Sequence, residues 1–420
     1  MVCTLENHRA EVRQLLAAAF DSIDTGPTQL LPLSSESLPG RALARAMHAR
    51  LPIPSFTNSQ MDGFAVCAAD LAEASTSHRV TLPLGFTAAA GGAQVIHQPG
   101  TATPVMTGAE IPAGADSVVP VEDTDPGVFT DLVRPGEGTP SGSVSFSSPS
   151  SAGRFIRPIG DQLPGGTLLA EAGTRLTPAL IGALAASGIH EVPVRRAPRI
   201  LLCTTGDELA APGEHLHSGR IPDANSPMLA ALLRGYGAQV STARLPDDPQ
   251  GFTAHLHKHA GRVDLVLTIG GISAGAFEVV RQGLEPLGGT FHHVALQPGG
   301  PQGFAELNSS RGPTLPVLCF PGNPVSAYLS AELFLAPLLR SLAGLPEPVS
   351  RSAVLASEVH SPEHKHQVRR AVFEHGRARV LDPGSHLIHD LANADALVHI
   401  PVGVSHLPAG SRIDTWSLNV

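Results

Sequence analysis

Between Arg199 and Leu342 short apolar runs alternate with amphipathic stretches, and several of the runs end in glycine. RILLCTTG, GAQVSTA, VDLVLTIGG, FHHVAL and LPVLCF read as strands. Helices are expected after Asn225-Ser-Pro, after Asp247-Asp-Pro, near Phe277 to Leu287 and from Pro324 to Leu342. This alternation specifies a doubly wound, mainly parallel α/β sheet, because parallel neighbours must be joined by right-handed crossovers. Few other folds accommodate it.

In such a sheet ligands sit outside the carboxyl ends of the strands. Here those ends read Thr204-Thr205-Gly206-Asp207-Glu208, Thr268-Ile-Gly270-Gly271-Ile-Ser273-Ala-Gly275, Gln297-Pro298-Gly-Gly-Pro-Gln and Phe320-Pro-Gly322-Asn323-Pro324. Gly270, Gly271, Ser273 and Gly275 ahead of a helix offer unhindered backbone N–H groups and a positive helix terminus, as a phosphate or oxyanion requires. A ligand-free strand-to-helix turn is the plainer alternative, and three companion loops on the same edge count against it. The spacing is neither G-x-G-x-x-G nor G-x-x-x-x-G-K-[ST], which disfavours nicotinamide binding and Walker-type NTP hydrolysis. Asp207 and Glu208 after the first strand, and Asp223 with Asn225 before the next helix, fall near this edge, where Mg²⁺ would bridge them to a phosphate. Helix capping competes for Asp223 and Asn225, whereas two adjacent acids such as Asp207 and Glu208 repel unless something compensates them.

The flanks differ in pattern. Residues 7–19 place Val12, Leu15, Leu16 and Ala19 on one helical face with Asn7 as the cap, and Ser37-Leu-Pro39 opens a second helix through Met47. From Leu51 to Ala152 short apolar pieces between Pro, Gly and Thr clusters indicate a β-rich insert, ending in a Ser-rich segment, Ser141 to Ser151, that reads as a mobile loop. TRLTPALIGALAASG returns to helix, with Thr177 as cap, Pro178 in the first turn and Gly188 past the end. The last 75 or so residues carry AVLASEV, RRAVFE, DALVHI and RIDTWSL, which suggest a small antiparallel β barrel or sandwich. The expected division is a split helical domain (1–50 and 153–195), a β-rich insert (51–152), the α/β domain (196–343) and a C-terminal β domain (346–420).

Composition narrows the function. A net charge of −9, from 28 Lys plus Arg against 37 Asp plus Glu, leaves no basic footprint for nucleic acid or anionic lipid. Only two lysines occur, Lys258 and Lys365. The uncharged stretch between Arg79 and Glu110 is broken by Pro83, Gly85, Gly91, Gly92 and Pro99, which disfavours a membrane span. Glu6 and Glu11 stand where a signal peptide needs a basic flank and an unbroken apolar run, so the cytoplasm is the expected compartment. Cys3, Cys67, Cys203 and Cys319 are isolated and read as reduced packing residues. Twenty histidines include His215/His217, His255/His257/His259, His292/His293 and His364/His366. Residues two apart diverge on a helix, and no cysteine or acidic cluster completes a shell in the sequence, so they read as surface or structural histidines. Asp62, in NSQMDGFAV, is a carboxylate in the nearly neutral insert, which makes it a functional candidate against the simpler reading of a turn aspartate before Gly63.

In order along the chain, NSQMDGFAV, PVMTGAEIP, AGTRL, TTGDEL, IPDANS, the DDP helix start, TIGGISAG, PGNPVSA and PGSHL together resemble one family, molybdopterin molybdenumtransferase, that is MoeA and the gephyrin E domain. The resemblance spans essentially the whole chain. It implies an α/β domain of the MogA type, a C-terminal β barrel, an intertwined homodimer, and insertion of molybdate into molybdopterin adenylate with release of AMP. It also implies Asp62 as an essential carboxylate, Thr107 as a site hydroxyl, and Glu208, Asp223 and the TIGGISAG loop as partners of nucleotide, pterin phosphate and Mg²⁺. Arg370 and Ser385 would come from the C-terminal domain, and the insert of one chain would lie over the α/β site of the other.

Three segments depart from the family. Lys-Pro-Gly-Lys-Pro is replaced by Gln297-Pro298-Gly-Gly300-Pro301, the acid expected two places after Gly160 is Gln162 with Asp161 shifted forward, and the Asp after TIGGISAG is Glu278. Uncompensated loss of two cations facing dianions would cost on the order of 10²–10³-fold in rate. Arg281 and Arg157 are the expected compensators. Within the same family a dimeric surface has also been adapted to capture a short peptide of a cytoskeletal or membrane-receptor protein, so a scaffold role, with Tyr328 and Phe334 lining a groove, is the alternative expectation.

Overall fold

The computed structural model describes residues 3–211, 213–273, 275, 278–308 and 313–418. Two compact units emerge. One comprises Met1–Arg45, Ala172–Thr177 and Val192–Val420, the other Ala46–Glu171 and Pro178–Glu191.

The first unit is built on a six-stranded sheet whose spatial order is Gln239–Leu245, Arg199–Thr205, Leu265–Ile269, Leu315–Phe320, Pro301–Leu307 and Thr290–His293. The first four strands pair in parallel, as the strand–helix alternation requires. Pro301–Leu307 is antiparallel to both neighbours and was not foreseen, because QGFAEL follows a proline and glycines that read as loop. Alternation along each strand covers both faces: Ile200, Leu202, Leu265, Leu267, Leu318 and Phe320 join one core, while Leu201, Cys203, Val266, Val317 and Cys319 join the other.

Helices seal these faces. Leu5–Asp24 packs Leu5, Val12, Leu16, Phe20 and Ile23 into the first core. Its cap is Thr4, whose hydroxyl accepts from the backbone N of Asn7 at 3.1 Å, so the expected cap at Asn7 is corrected to the residue three places earlier. Pro249–His259 begins at the expected DDP, with Asp248 accepting from the backbone N of Gln250 and Gly251. Val279–Leu284 continues as a 3₁₀ turn, Glu285–Leu287; the expected start at Phe277 lies outside the described residues, as does Ala274 of the TIGGISAG motif. The helix expected from Ser37 to Met47 does not form. Leu38 and Leu43 are buried, but Gly40 takes φ +79°, Ala42 and Leu43 make isolated bridges with Arg175 and Val194, and Met47–His48 is extended. Partners distant in sequence override a weak local helical pattern there.

The segment Pro324–Leu342 is helical throughout, with a π turn at Ala331–Leu335. Its 19 residues, at mean hydropathy 1.2, are long and apolar enough to cross a bilayer, yet 72% of that window is buried inside the protein. A core helix passes the same length and composition test.

The C-terminal strands close a five-stranded barrel. His366–Glu374 pairs with both Arg377–Val380 and Ala396–Ile400, and the ring is completed through Arg412–Ser417 and Ser350–Leu355. One pairing, Ser350–Leu355 with Arg377–Val380, is parallel, where an antiparallel barrel was expected. Leu296–Gln297 adds in parallel to His366–Gln367 and so ties the barrel to the loop after Thr290–His293.

The second unit is β-rich. Gly63–Val66 lies between Thr103–Val105 and Ser117–Pro120, and Ser143–Phe146 lies between Val80–Pro83 and Thr124–Asp125. The expected mobile loop at Ser141 to Ser151 is therefore corrected, since Val144 and Phe146 alternate into the core while Ser143 is exposed and Ser145 half-buried. The helix Pro178–Ala186 starts at its proline and ends ahead of Gly188, whose φ of +77° a side chain would strain.

Candidate active site

The carboxyl ends of the parallel strands open into a cleft of about 910 Å³. All four glycine-rich loops singled out in the sequence line it, through Thr205, Gly206 and Glu208, then Gly270, Gly271, Ser273 and Glu278, then Gln297 and Pro298, then Gly322, Asn323 and Pro324. Ser385 joins them from the C-terminal barrel.

Glycine is required at two points of this wall. Gly206 has φ +134°, and a Cβ there would lie 2.4 Å from Glu208 Oε2. The missing side chain thus lets the Glu208 carboxylate fold back over the strand end. A Cβ on Gly271, at φ +66°, would come within 3.1 Å of Thr205 Oγ1 and 3.0 Å of the Val280 backbone N. Asn225 braces the opposite side by donating from Nδ2 to the Gly322 carbonyl at 2.8 Å. The helix that starts at Pro324 receives the Ser385 carbonyl on the Val325 N–H at 3.2 Å, so the barrel loop and the α/β loop are joined by backbone.

Several expected roles change. Asp223 is 7% exposed and accepts from Thr204 Oγ1 at 3.0 Å, Ser226 N at 3.0 Å and Ser226 Oγ at 2.5 Å, so capping occupies it and it does not line the cleft. Asp207 also lies off the wall; its N–H reaches Asp247 Oδ2 at 3.3 Å, and of this pair it is Asp247 that lines the cleft. Glu278 accepts from the Ser273 N–H at 2.9 Å, and one of its oxygens is 2.7 Å from where a Gly275 Cβ would sit. That carboxylate already fills part of the cradle expected for a phosphate, and Gly275 itself is not on the wall.

Arg370 is fully buried and does not reach the cleft either. Its guanidinium donates to the carbonyls of Gly384, at 3.2 Å, and of Asp382. Pro383, Gly384, Ser385 and His386 line the cleft, so Arg370 shapes the wall from beneath. Asp62 and Thr107 belong to the second unit, where Asp62 Oδ1 accepts from the Thr107 backbone N–H at 2.6 Å.

Sequence reasoning missed the cation. Among the described residues on the wall, Lys365 is the one Lys or Arg, on a lining that also carries Glu208, Asp247 and Glu278. Its position follows from the strand addition already described: Leu296–Gln297 pairs with His366–Gln367, and Gln367 Nε2 donates to Gln297 Oε1 at 2.8 Å. His293 lies on the same wall, its imidazole held below the usual range by partial burial and by the Lys365 charge. The expected compensators are engaged elsewhere, Arg281 Nε with Glu285 at 2.7 Å and Arg157 with Asp161 at 3.6 Å. The available signal was the rarity of lysine in the chain.

Comparisons with known proteins agree with this architecture. The MoeA N-terminal region (domain I and II) matches residues 3–188, a probable molybdopterin binding domain matches 202–341, and the MoeA C-terminal region (domain IV) matches 352–418. Molybdopterin molybdenumtransferase 2 of Mycobacterium tuberculosis is 40% identical over 393 residues, covering 90% of this chain and 93% of that protein. The molybdopterin molybdenumtransferase of Synechococcus elongatus is 35% identical over 409 residues, covering 92% and 96%. A crystal structure of the molybdopterin biosynthesis MoeA protein from Pyrococcus horikoshii, 26% identical, superposes with a TM-score of 0.78 over 100% of both chains. Motif order, domain order, the cleft at the strand ends and identity along nearly the full length coincide, and the chain belongs to the molybdopterin molybdenumtransferase family.

Proposed function

We propose that this chain is a transferase of molybdenum cofactor biosynthesis that inserts molybdate into molybdopterin adenylate and releases AMP, with the described cleft as the reaction chamber. The observation that carries the reading is the convergence of four glycine-rich loops, all within the region matched by the molybdopterin binding domain, with Lys365 of the region matched by the MoeA C-terminal domain on the same wall. Both substrates are anions, and the anhydride that joins the pterin phosphate to AMP in molybdopterin adenylate is cleaved faster where fixed positive potential meets the developing charge. Backbone N–H groups of the loops and the Lys365 ammonium supply that potential. Glu278 keeps the Ser273 N–H occupied until an anionic ligand replaces it.

The oxygen donors on the wall suit Mg²⁺, a hard cation, and Glu208 and Asp247 are the carboxylates that would hold it. When bound, Mg²⁺ supplies charge neutralisation at the phosphates. Asp62 and Thr107 complete the site from a second copy of the chain in a cytoplasmic homodimer, and the four-part division of the chain at about residues 50, 152, 196 and 345 remains our reading of its domains. No observation favours a peptide-binding scaffold: Phe334 is 3% exposed and Tyr328 is half-buried within the core, so neither lines an open groove.

The test is molybdate-dependent release of AMP from molybdopterin adenylate by purified protein, followed by chromatography. AMP appearing at the same rate with and without molybdate, or not at all, would refute the assignment.

A further inference from the structure

The N-terminal helix and the edge strand of the sheet bring together a set of donors away from the cleft. Cys3 precedes the helix cap, His8 and Glu11 lie one turn apart on the helix, and His292 comes from the strand Thr290–His293. His8 Nδ1 is 3.0 Å from His292 Nε2 and 3.4 Å from Glu11 Oε2, and His292 Nε2 is 3.5 Å from the same carboxylate oxygen. Four ligand atoms, including the Cys3 sulfur, all lie within 4.8 Å of one another.

Those three spacings form one face of a small tetrahedron, with the Cys3 sulfur toward its fourth corner. Nitrogen and oxygen ligands at about 2.0–2.1 Å from a tetrahedral Zn²⁺ stand roughly 3.3–3.4 Å apart, and a thiolate at about 2.3 Å stands slightly farther. We propose that Cys3, His8, Glu11 and His292 form a four-coordinate zinc site that pins the N-terminal helix to the edge strand of the α/β sheet.

The donor set selects the metal. One thiolate and two imidazoles suit Zn²⁺ and are wrong for Mg²⁺ or Ca²⁺, and four protein ligands make a closed, structural site. His8 is fully buried with its Nδ1 turned toward His292 Nε2 and Glu11 Oε2, the atoms that would share the ion. A neutral imidazole is the form that ligates. Cys3 is fixed by the segment that follows the edge strand: its carbonyl accepts from the Ala295 N–H at 2.8 Å, and it bridges to Val294. A thiol ligates as the thiolate, so zinc must displace the Cys3 proton, and binding weakens as pH falls. Cys3, Glu11 and His292 are each partly exposed, which leaves the ion a route in. The sulfur, at spacings of up to 4.8 Å from the other three atoms, closes inward onto the ion.

The site also bears on the cleft. Successive residues of a strand face opposite ways, so His292 turns to the N-terminal helix while His293 lines the cleft wall.

Full-length protein without a polyhistidine tag, grown with zinc and dialysed, should retain about one zinc per chain by elemental analysis. Cys3→Ser and His292→Ala should each lower the affinity roughly 100-fold or more, read by competition with a chromophoric chelator. Cobalt substitution should give a thiolate charge-transfer band that Cys3→Ser abolishes, and zinc should raise the melting temperature of the wild type alone. Circular dichroism shows whether each variant is folded, and the two variants, made at different elements, check each other. Wild-type protein that retains no zinc and binds it no more tightly than the variants would overturn the proposal. So would zinc retained equally by both variants, which would place it elsewhere, such as at Cys67, Asp70 and His97.

Discussion

At the scale of single residues, charge is scarce on the cleft wall and is placed by neighbours that the sequence separates widely. Lys365 shares the wall with three acids, and in the proposed reaction it takes up the task that two family lysines would share. Lys365→Ala should weaken binding of molybdopterin adenylate roughly 10–100-fold, the worth of about 1.5–3 kcal/mol for a hydrogen bond to a charged group. Lys365→Arg should restore part of it, and the wild-type advantage should shrink as salt is raised. Calorimetric titration reads all three, and equal affinities in wild type and Lys365→Ala would remove the residue from the ligand site. Gly300 carries a related lesson. A Cβ there would lie 2.5 Å from the His293 ring, so Gly300→Lys must expel that ring from the wall rather than simply add a charge. The gain in affinity from Gly300→Lys should therefore be small alone and larger with His293→Ala, a coupling that a double-mutant cycle measures. Additive effects would show that the ring and the new side chain do not compete.

Among the elements, the strand Ala396–Ile400 carries a histidine whose protonation the barrel opposes. His399 Nδ1 is 3.1 Å from His366 Nε2, its ring centroid is 4.3 Å from that of Trp416, and its Nε2 is buried without a partner. Burial first, then His366 and Arg9, push its pKa down to about 3, against about 6.5 in an unfolded chain. Between those values the unfolded state binds the proton and the folded state does not. The contribution is present in full above about pH 6.5 and is lost as pH falls toward 3, by up to about 1.4 kcal/mol per unit. Melting temperature should fall from pH 7 to pH 5 and fall less in His399→Gln; identical pH profiles would disprove the role. The same element scale explains the misread segments. Ser143–Phe146 is rich in serine, yet its alternation places Val144 and Phe146 inside, and pairing with Val80–Pro83 supplies partners that local composition does not reveal. The helix Pro324–Leu342 was legible from its apolar length, whereas its π turn was not, and buried Glu332 in that turn accepts from the hydroxyl of Tyr236, almost a hundred residues away, at 2.8 Å.

At the scale of the whole molecule, Asp62 and Lys365 belong to different compact units of one chain, and the proposed homodimer gives them a shared purpose. Sedimentation at micromolar concentration should show a stable dimer with an interface in the obligate range, above roughly 2,000 Å². Asp62→Asn should leave dimerisation and melting temperature nearly unchanged while abolishing AMP release. Mixing Asp62→Asn with Lys365→Ala protein should recover part of the activity in mixed dimers, because one of the two sites is then intact. A stable active monomer, or the absence of recovery after subunit exchange, would rule out a site shared between copies.

The sequence by itself determined the α/β sheet, the β-rich insert, the C-terminal barrel and the loops of the cleft, because these rest on period-two apolar patterns and on glycines, which act locally. Family membership was legible for the same reason, as a series of local motifs in order. Only the tertiary structure decided which carboxylates reach the wall. Asp223 and Asp247 are both acids just before helices, and it is the hydroxyls of Thr204 and Ser226 that turn one inward. Tertiary structure also decided that Arg370 supports the wall while Lys365 faces it, and that Cys3, His8, Glu11 and His292 meet. Pairwise distances between residues far apart in the chain are set by packing, and no local pattern encodes them.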